Sequence, residues 1–434
     1  MELVVLGGGE SGVGAALLAV AQGIPVFLSD RSPIAEHYKR ELVEAGIEFE
    51  EGGHTESRIL AAREVVKSPG IPDSVPLIEK LRAKNIPVIS EIEFAGRYTT
   101  SKLIAITGTN GKTTTTRLTY HLLNEAGLSV AMGGNVGKSF ARLLTEPPKE
   151  YYVLELSSFQ LDGIDQFRPD MSMLLNITPD HLDRYEYKME HYVASKFRIQ
   201  MNQGPEDVFL YWKEDPNVRP ALGQLGGPAR QIALSTDQLH ENHLDVGGET
   251  FDLEPTALRG QHNAMNAAFA LRAALEWGIG PAVLQRGLES FTNAPHRMER
   301  VGSIRGIAFI NDSKATNVDA VYYALQAMDR PVIWIAGGQD KGNDYQQLLP
   351  LVRKKVRILV GLGVDNEKLK TAFGKVVEGF VEVDSAHEAV KAALKLGKEG
   401  EVALLAPACA SFDRFKNYEE RGDLFRQAVR EVNI

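Results

Sequence analysis

Residues 107–114, TGTNGKTT, combine the residue types that bind nucleotide phosphates. Gly108 and Gly111 flank a bend in which backbone amides can surround an anion. Lys112 can reach terminal phosphates, and the Thr113 hydroxyl can ligate Mg²⁺. The standard phosphate loop has a glycine six residues before its lysine, where this chain has Ile106. We still predict a phosphate site, because a strand-like segment precedes the stretch and a helix-like segment follows it. The alternative is a capped helix start.

Two later stretches carry side chains that a nucleotide–metal site needs. Glu155 ends the strand-like run YYVLE, where its carboxylate would project from the carboxyl edge of a sheet towards Mg²⁺. A glutamate in that position is more often solvated. The run NITPDHLDRY places Asp180, His181 and Asp183 in a loop after another strand-like segment. A lone histidine there is more often structural, and its acidic neighbours make a metal or substrate contact an equally good interpretation.

A second glycine cluster lies near the N-terminus, where residues 7–12 match G-x-G-x-x-G. It follows a strand-like segment and opens a helix-like one, and Asp30 closes the next strand-like segment. Glycines let the backbone approach a diphosphate, and a helix N-terminus offers free amides. Three interpretations stay open: a nicotinamide or flavin cofactor, another nucleotide ligand, and a tight turn.

The elements that must position these residues fall into three segments. Short apolar runs alternate with helical spacing in residues 1–95, and again very regularly after residue 296. The middle segment, 96–296, contains the phosphate loop and a turn-rich region over 205–260, and residues 95–102 resemble a linker. We therefore predict an α/β protein with three domains, 1–95, 96–296 and 297–434, each built on a mainly parallel sheet.

Composition sets broad limits on function. The chain has 434 residues, 44% hydrophobic and 24% charged, which is typical of a globular protein of several domains. Its net charge of -9 argues against a nucleic-acid binder. The single cysteine, Cys409, excludes an internal disulfide and favours a reducing compartment. The N-terminus has no basic start, and no apolar run reaches roughly 18 residues. We therefore expect a cytoplasmic enzyme without membrane insertion.

Eight stretches together resemble the Mur ligases of peptidoglycan synthesis: TGTNGKTT, GGNVGKS, LELSSFQL, NITPDHLDRY, HNAMNAAFA, PHRMER, NDSKATN and PACASFDRFKNYEERG. The resemblance covers all three segments in order. SSFQLD, NDSKATNVDA, the last stretch and the short length favour the branch that adds D-glutamate to UDP-N-acetylmuramoyl-L-alanine. The family layout implies a Rossmann-like N-terminal domain, a central P-loop ATPase-like domain and a Rossmann-like C-terminal domain.

By this resemblance the first domain would bind the uridine diphosphate of the substrate rather than NAD. The implied residues are Gly9, Ser11, Gly12, Asp30 and Arg31, with Ser68 close by. Asn135, Ser157, Gln160 and His181 would line the muramoyl-alanyl part and the reacting carboxylate.

The resemblance also implies an ATP site with two Mg²⁺ ions. The implied phosphate-binding residues are Gly108, Thr109, Asn110, Gly111, Lys112, Thr113 and Thr114. Asn266 would contact the adenine side with Asn263 nearby, and Arg297 and Asp312 would close onto the nucleotide. Thr113 and Glu155 would hold one Mg²⁺, and His181 the second.

Lys196 would be carbamylated in this family and would position the second metal. Without the family resemblance, the sequence favours Lys196 as a lysine exposed on a helix. An ammonium ~4 Å from Mg²⁺ would be repelled by about 8 kcal/mol at an effective dielectric constant near 20, and a carbamate reverses that sign.

The C-terminal domain would bind D-glutamate through Thr316, Lys341, Ser411 and Phe412. Lys314 would face substrate or nucleotide, and Tyr418 stands where the family commonly has a stacking phenylalanine. The implied reaction phosphorylates the alanyl carboxylate from ATP and then joins it to the glutamate amine, with Lys112, His181, Lys196 and Lys314 as catalytic residues. We expect a monomer. A Rossmann oxidoreductase and a non-catalytic nucleotide-binding switch are the rival interpretations.

Overall fold

The computed structural model describes residues 2–258, 260–292, 295–340 and 342–432. Three mainly parallel sheets with flanking helices dominate this part of the chain. The predicted α/β class is therefore confirmed.

The first sheet is fully parallel, with strand order β3-β2-β1-β4-β5. Its strands are β1 (Leu3–Leu6), β2 (Val26–Asp30), β3 (Glu48–Glu51), β4 (Glu64–Lys67) and β5 (Val88–Ser90). Its helices are α1 (Glu10–Ala21), α2 (Glu36–Glu44), α3 (Glu56–Ile59), α4 (Pro76–Ala83) and α5 (Glu91–Gly96). The strand order reverses between β1 and β4, so the loops after these two strands open a crevice at the carboxyl edge, where ligands bind in such sheets.

The second sheet is also parallel, with order β11-β10-β9-β6-β8-β7. Its strands are β6 (Lys102–Thr107), β7 (Val130–Gly134), β8 (Tyr151–Glu155), β9 (Met171–Leu174), β10 (Val208–Trp212) and β11 (Arg230–Leu234). A separate antiparallel hairpin is formed by β12 (His243–Val246) and β13 (Glu249–Asp252). The helices here are α6 (Lys112–Glu125), α7 (Phe140–Leu143), α8 (Ser158–Leu161), α9 (Met189–Phe197), α10 (Val218–Leu225), α11 (Gln261–Glu276) and α12 (Pro281–Ser290).

The third sheet has order β14-β15-β19-β16-β17-β18, and only its edge strand β14 is antiparallel. Its strands are β14 (Glu299–Ile304), β15 (Ile307–Asn311), β16 (Val332–Ala336), β17 (Val356–Gly361), β18 (Gly379–Glu382) and β19 (Val402–Leu405). Its helices are α13 (Val318–Gln326), α14 (Leu349–Lys355), α15 (Glu367–Phe373), α16 (Ala386–Leu396) and α17 (Tyr418–Val432).

Inner strands such as β1, β9 and β16 are continuous apolar or buried runs, as expected for strands covered on both faces by helices. In β1, Leu3 and Val5 enter one buried cluster, whereas Val4 and Leu6 enter another on the opposite face. The first of these clusters continues through α1, α5 and α7 to residues of the second sheet such as Tyr152 and Leu154. The first two sheets therefore share one hydrophobic core.

The chain separates into two compact units, Met1–Glu254 with Met265–Ser290, and Pro255–Ala264 with Phe291–Ile434. The predicted domain boundaries at residues 95 and 296 stay predictions. Between the first two sheets, α5 ends at Gly96 and β6 begins at Lys102, so five residues of the predicted linker lie outside regular elements. No helix in the described part of the chain is long and apolar enough to cross a membrane.

Some elements differ from the sequence-based expectation. Helix α1 begins at Glu10, inside the glycine cluster, and the turn-rich region 205–260 also contains α10. Strand β14 was not expected, and it joins β15 through Arg305 and Gly306, which have φ of 51° and 75°. Positive φ at both central residues is typical of the type I′ turn that suits a two-residue hairpin.

Candidate active site

The predicted phosphate loop connects β6, in the middle of the second sheet, to α6. Gly111 has φ of +84°, and α6 begins at the next residue. The Lys112 ammonium donates hydrogen bonds of 2.8 Å to the carbonyl oxygens of Gly108 and Thr109. Thr113 and Thr114 are buried at the helix N-terminus. The strand–loop–helix context predicted from the sequence is present, and such a helix start favours anions through its free amides.

Asn176, which follows β9, holds the phosphate loop in place. Its amide oxygen accepts from the Asn110 backbone N–H at 2.8 Å, and its amide nitrogen donates to the Asn110 carbonyl at 3.0 Å. The Thr109 N–H donates to the Asn176 carbonyl at 2.9 Å. Sequence reasoning missed this residue, although it stands in the NITPD run, directly before the residues proposed as ligands.

Asn266 lies behind the loop, fully buried in α11. Its side-chain oxygen accepts from the Thr115 hydroxyl at 3.2 Å. A Cβ atom at Gly111 would lie 2.3 Å from that same oxygen, so the close approach requires glycine. The Asn266 amide nitrogen has no hydrogen-bond partner among the described residues. Contact with the adenine side stays a prediction.

Glu155 ends β8, the strand that pairs with β6, and it is 2% exposed. One carboxylate oxygen accepts from the Asn135 side chain at 2.9 Å, and the other has no partner among the described residues. A buried carboxylate oxygen without a partner is costly unless a cation satisfies it. Together with the buried hydroxyl of Thr113, this oxygen donor fits a hard divalent cation such as Mg²⁺.

Lys196 is buried against the phosphate loop, whereas the sequence by itself favoured a lysine exposed on a helix. It is 1% exposed, and its ammonium donates to the Gly108 carbonyl at 2.9 Å. Burial lowers the pKa of Lys196 well below its ordinary value, and the positive charge of Lys112 lowers it further. Asp180, Asp162 and Glu155 act in the opposite direction.

Tyr192 stands one helical turn before Lys196, and its hydroxyl lies 3.2 Å from the Thr109 hydroxyl. The Lys196 ammonium lies 4.7 Å from the centre of the Tyr192 ring. Residues four apart on a helix share a face, so the sequence spacing could have indicated this pair.

His181 lies in the loop after β9 with a positive φ of 52°. Its Nε2 atom is 3.6 Å from an Asp180 carboxylate oxygen, and its ring packs edge-on against Phe159 at 5.2 Å. The side chain is 40% exposed and therefore accessible to a ligand. Metal binding by His181 stays a prediction.

Three residues predicted to contact the substrate also have local hydrogen-bond partners. Ser157 and Gln160 form a capping box at the start of α8, in which the Gln160 side chain accepts from the Ser157 N–H at 2.9 Å. Asn135 holds Glu155. These contacts orient the edge of the site, and direct substrate binding by the three side chains stays a prediction.

The glycine cluster of the first sheet forms a tight strand-to-helix turn, with Gly9 as the N-cap of α1. A Cβ atom at Gly12 would lie 1.8 Å from the Gly7 carbonyl oxygen. Asp30 accepts from the Gly8 N–H at 2.6 Å and from the Ser32 N–H at 2.7 Å, so its carboxylate closes the loop.

Other predicted residues of this edge lie around the crevice. Ser68 follows β4, donates its N–H to the Leu6 carbonyl at 2.9 Å and is partly buried, as is Ser11. Arg31 is exposed. The Lys67 ammonium donates a hydrogen bond of 2.7 Å to the Ile71 carbonyl and so stabilises the segment after β4. Their roles in uridine diphosphate binding stay predictions.

The second compact unit brings together several predicted residues at the carboxyl edge of the third sheet. Asp312 follows β15 and accepts from the Met298 N–H at 3.1 Å. Burial raises the pKa of Asp312 to about 6, against the effects of that hydrogen bond and of the Arg297 charge. The Lys314 ammonium lies 3.6 Å from the centre of the Tyr418 ring.

The remaining predicted residues of this unit lie in the same strand-end segments. Thr316 is partly buried, Ser411 is buried, and the Phe412 side chain is 67% exposed. Lys341 lies outside the described residues.

One cluster has metal-ligand residue types but lies away from these loops, on the β12–β13 hairpin. Ligand atoms of His240, His243 and Asp245 lie within 4.8 Å of one another. The two imidazole rings stack at 4.3 Å with an interplanar angle of 17°, and the His240 Nε2 atom lies 3.0 Å from an Asp245 carboxylate oxygen. The cluster contains none of the residues predicted to hold the catalytic metal.

Comparison with known proteins places three family domains along the chain. Residues 1–90 match the Mur ligase MurD-like N-terminal domain, residues 106–274 the Mur ligase middle domain, and residues 296–409 the Mur ligase glutamate ligase domain. Their order agrees with the order of the three sheets.

Curated relatives match over nearly the full length. The UDP-N-acetylmuramoylalanine--D-glutamate ligase of Christiangramia forsetii is 48% identical and covers 99% of this chain and 99% of its own length. The protein of the same name from Bacteroides fragilis is 50% identical over 99% of this chain and 100% of its own length.

A solved structure of MurF ligase from Thermotoga maritima in complex with ADP has a TM-score of 0.64 and 12% sequence identity, and the match covers 94% of this chain and 95% of that one. At this identity the likeness supports the fold alone. The three family domains and the full-length relatives agree with the sequence resemblance, and the chain belongs to the Mur ligase family.

Proposed function

We propose that this protein is an ATP-dependent ligase that joins D-glutamate to UDP-N-acetylmuramoyl-L-alanine in peptidoglycan precursor synthesis. Three groups at the phosphate loop support this reaction class: Lys112, the buried oxygen of Glu155 that has no partner among the described residues, and buried Lys196. Relatives of that name, about half identical over the full chain, support the choice of substrates.

Residues 108–114 would hold the ATP phosphates, with Asn266, Arg297 and Asp312 as further nucleotide contacts. Thr113 and Glu155 would hold one Mg²⁺, and His181 with a carbamylated Lys196 a second. The ions would offset negative charge where two anions must meet. The buried oxygen of Glu155 supports the first site, and the lowered pKa of Lys196 supports carbamylation, because the neutral amine is the form that reacts with CO₂.

The chemistry proceeds in two steps. A carboxylate is a poor acylating agent because its leaving group would be oxide. An oxygen of the alanyl carboxylate attacks the γ-phosphorus of ATP, the bond to ADP breaks, and an acyl phosphate forms. The amine of D-glutamate then attacks the carbonyl carbon, loses a proton and displaces phosphate. Lys112 stabilises the transferred phosphoryl group, so catalysis is mainly positioning and electrostatics.

The first sheet would bind the uridine diphosphate at Gly9–Gly12 with Asp30, Arg31 and Ser68 nearby. The third sheet would bind D-glutamate through the segments that carry Lys314, Thr316, Lys341, Ser411 and Phe412, with Tyr418 alongside. All three substrates are small molecules that one chain can bind, and ATP is a cytoplasmic substrate. We therefore expect a cytoplasmic monomer, which sedimentation analysis would test.

The decisive assay measures phosphate release from ATP in the presence of UDP-N-acetylmuramoyl-L-alanine and each candidate amino acid in turn. We expect release that requires D-glutamate, and no release by Lys112→Ala, which removes the phosphate contact. Equal phosphate release with another amino acid would contradict D-glutamate as the substrate. It would still agree with the ligase reaction class. Binding of reduced nicotinamide cofactor without ATP turnover would favour an oxidoreductase. ATP binding without turnover on any acceptor would favour a nucleotide-binding switch.

A further inference from the structure

Arg421 is a buried arginine whose hydrogen-bond partners are uncharged oxygen atoms. It lies in the first turn of α17 and is 1% exposed. Among the described residues, no carboxylate forms an ion pair with it, and the Asp413 carboxylate acts on it only at longer range. Burial lowers the pKa of Arg421 only to about 10, so the side chain remains a cation at neutral pH. Burying a charge without an ion-pair partner is costly, so this residue calls for an explanation beyond packing.

The Arg421 guanidinium donates to oxygen atoms of three separate segments. Its Nε donates to the Ser313 hydroxyl at 3.0 Å and its Nη2 to the Ser313 carbonyl at 2.9 Å. The Cys409 carbonyl accepts from Nη1 at 3.3 Å and from Nη2 at 3.4 Å. The Gly337 carbonyl accepts from Nη1 at 3.5 Å. All three nitrogen atoms of the side chain are therefore engaged.

The three segments follow neighbouring strands at one edge of the third sheet. Ser313 follows β15, Cys409 follows β19 and Gly337 follows β16, and these strands are adjacent in the order β15-β19-β16. The same segments carry residues that are proposed to bind the amino-acid substrate, which are Lys314, Thr316, Ser411 and Phe412. One side chain therefore contacts all three of the loops that are proposed to form the amino-acid site.

We propose that Arg421 is a positioning residue for the amino-acid substrate: its planar guanidinium fixes three strand-end loops in the spacing that binds an anionic amino acid, without touching that substrate. This inference rests on the proposed function, in which the acceptor is D-glutamate.

Arg421→Lys is the sharpest test, because it keeps the charge and removes the planar fork. An ammonium has three donors in a tetrahedral arrangement and cannot reach the same set of oxygens. We expect the KM for D-glutamate to rise roughly 10- to 100-fold, which corresponds to the loss of one or two charge-assisted hydrogen bonds. The KM values for ATP and for UDP-N-acetylmuramoyl-L-alanine should change less than about threefold.

Arg357→Lys is the matched control. Arg357 is another partly buried arginine of this sheet, near the start of β17, and it donates to Glu401 at 2.7 Å and to the Leu396 carbonyl. Glu401 directly precedes β19, so this pair lies at the opposite edge from the strand-end loops. We expect Arg357→Lys to lower the melting temperature and to leave the KM for D-glutamate unchanged.

A second variant covers the case in which Arg421→Lys does not fold. Ser313→Ala removes the hydroxyl that accepts from Nε and that also donates to the Tyr418 carbonyl at 2.8 Å, at the start of α17. We expect a threefold to tenfold rise in the KM for D-glutamate. An unchanged KM in a folded Arg421→Lys protein, or an equal rise for all three substrates, would overturn the proposal. Failure of the proposed function would appear separately, as phosphate release by the unmodified protein that does not depend on D-glutamate.

Discussion

Burial changes the chemistry of a single lysine in this protein. Lys196 stands near the end of α9, where a lysine is ordinarily solvated, yet its ammonium lies on the Gly108 carbonyl of the phosphate loop. Removal from water disfavours the charged form and lowers the pKa of the Lys196 side chain. The neutral amine is the form that reacts with CO₂, so the lowered pKa of Lys196 supports the proposed carbamylation, which the sequence suggested only by resemblance.

Lys196→Ala should abolish turnover, because the carbamate that would hold the second Mg²⁺ is lost. A short-chain carboxylate such as formate should restore part of the activity by occupying the vacated space. Steady-state phosphate release with and without formate checks this. The control is Lys188→Ala, which removes an exposed lysine paired with Glu186 just before α9 and should remain fully active. A fully active Lys196→Ala protein would contradict the carbamate.

At the scale of one element, the β6–α6 connection shows how a variant loop keeps the strand–loop–helix arrangement of a phosphate site. The outer glycine of the standard pattern is missing, and the loop instead depends on Asn176 for its backbone hydrogen bonds and on Gly111 for its closing turn. Two features require glycine at position 111: its φ is positive, and Asn266 occupies the space that a side chain would need.

Gly111→Ala should raise the KM for ATP at least tenfold and destabilise the protein. A left-handed conformation costs an L-residue about 1–2 kcal/mol, and displacement of the buried Asn266 side chain adds to this. Gly127→Ala is the control, because Gly127 has φ of +79° but open space at its Cβ position. Gly127→Ala should lower the free energy of unfolding in urea only by the cost of the left-handed backbone conformation. It should leave the KM for ATP unchanged. Equal effects of both variants would contradict the role of Asn266.

At the scale of the first compact unit, two acidic residues of α5 join the first sheet to the second. One Glu93 carboxylate oxygen accepts from the backbone N–H groups of Asp165, Gln166 and Phe167 at 2.9, 2.9 and 2.8 Å. Glu91 accepts from the Ala141 N–H at the start of α7, and its second oxygen has no partner among the described residues. Burial raises the pKa of Glu91 to about 8, against the effect of the Ala141 hydrogen bond.

This raised pKa predicts a stability that falls with pH. The folded state holds the Glu91 proton up to about pH 8, whereas the unfolded chain releases it near its ordinary value of 4.5. The folded state therefore binds more protons in this range, and the Glu91 contribution to the free energy of unfolding decreases as pH rises from about 4.5 to 8.

Glu91→Gln should remove this contribution, so the variant should gain stability relative to the unmodified protein between pH 6 and pH 8.5. Urea unfolding at both pH values measures the difference. Glu44→Gln, which changes an exposed carboxylate at the end of α2, should leave the pH dependence unaltered. An unchanged pH dependence in Glu91→Gln would contradict the buried, protonated state.

Local sequence determined much of this protein. Alternating apolar runs and helical spacing determined the α/β class and the three sheets, because sheets covered on both faces need apolar strands. Glycines at strand-to-helix junctions determined the turns after β1 and β6, since only glycine tolerates the φ values and close approaches found there. The residues after parallel strands could be placed at one edge, because all such strand ends meet there.

Only the tertiary structure decided which side chains meet, because those contacts join residues far apart in the chain. The burial of Lys196, the bond between Asn135 and Glu155, and the support of Asn110 by Asn176 all depend on how strands pair and helices pack. The same holds for Arg421, which appears in the sequence as one charged residue of an amphipathic helix. Its function as the common partner of three loops follows from the strand order β15-β19-β16, which brings together segments that no local pattern connects.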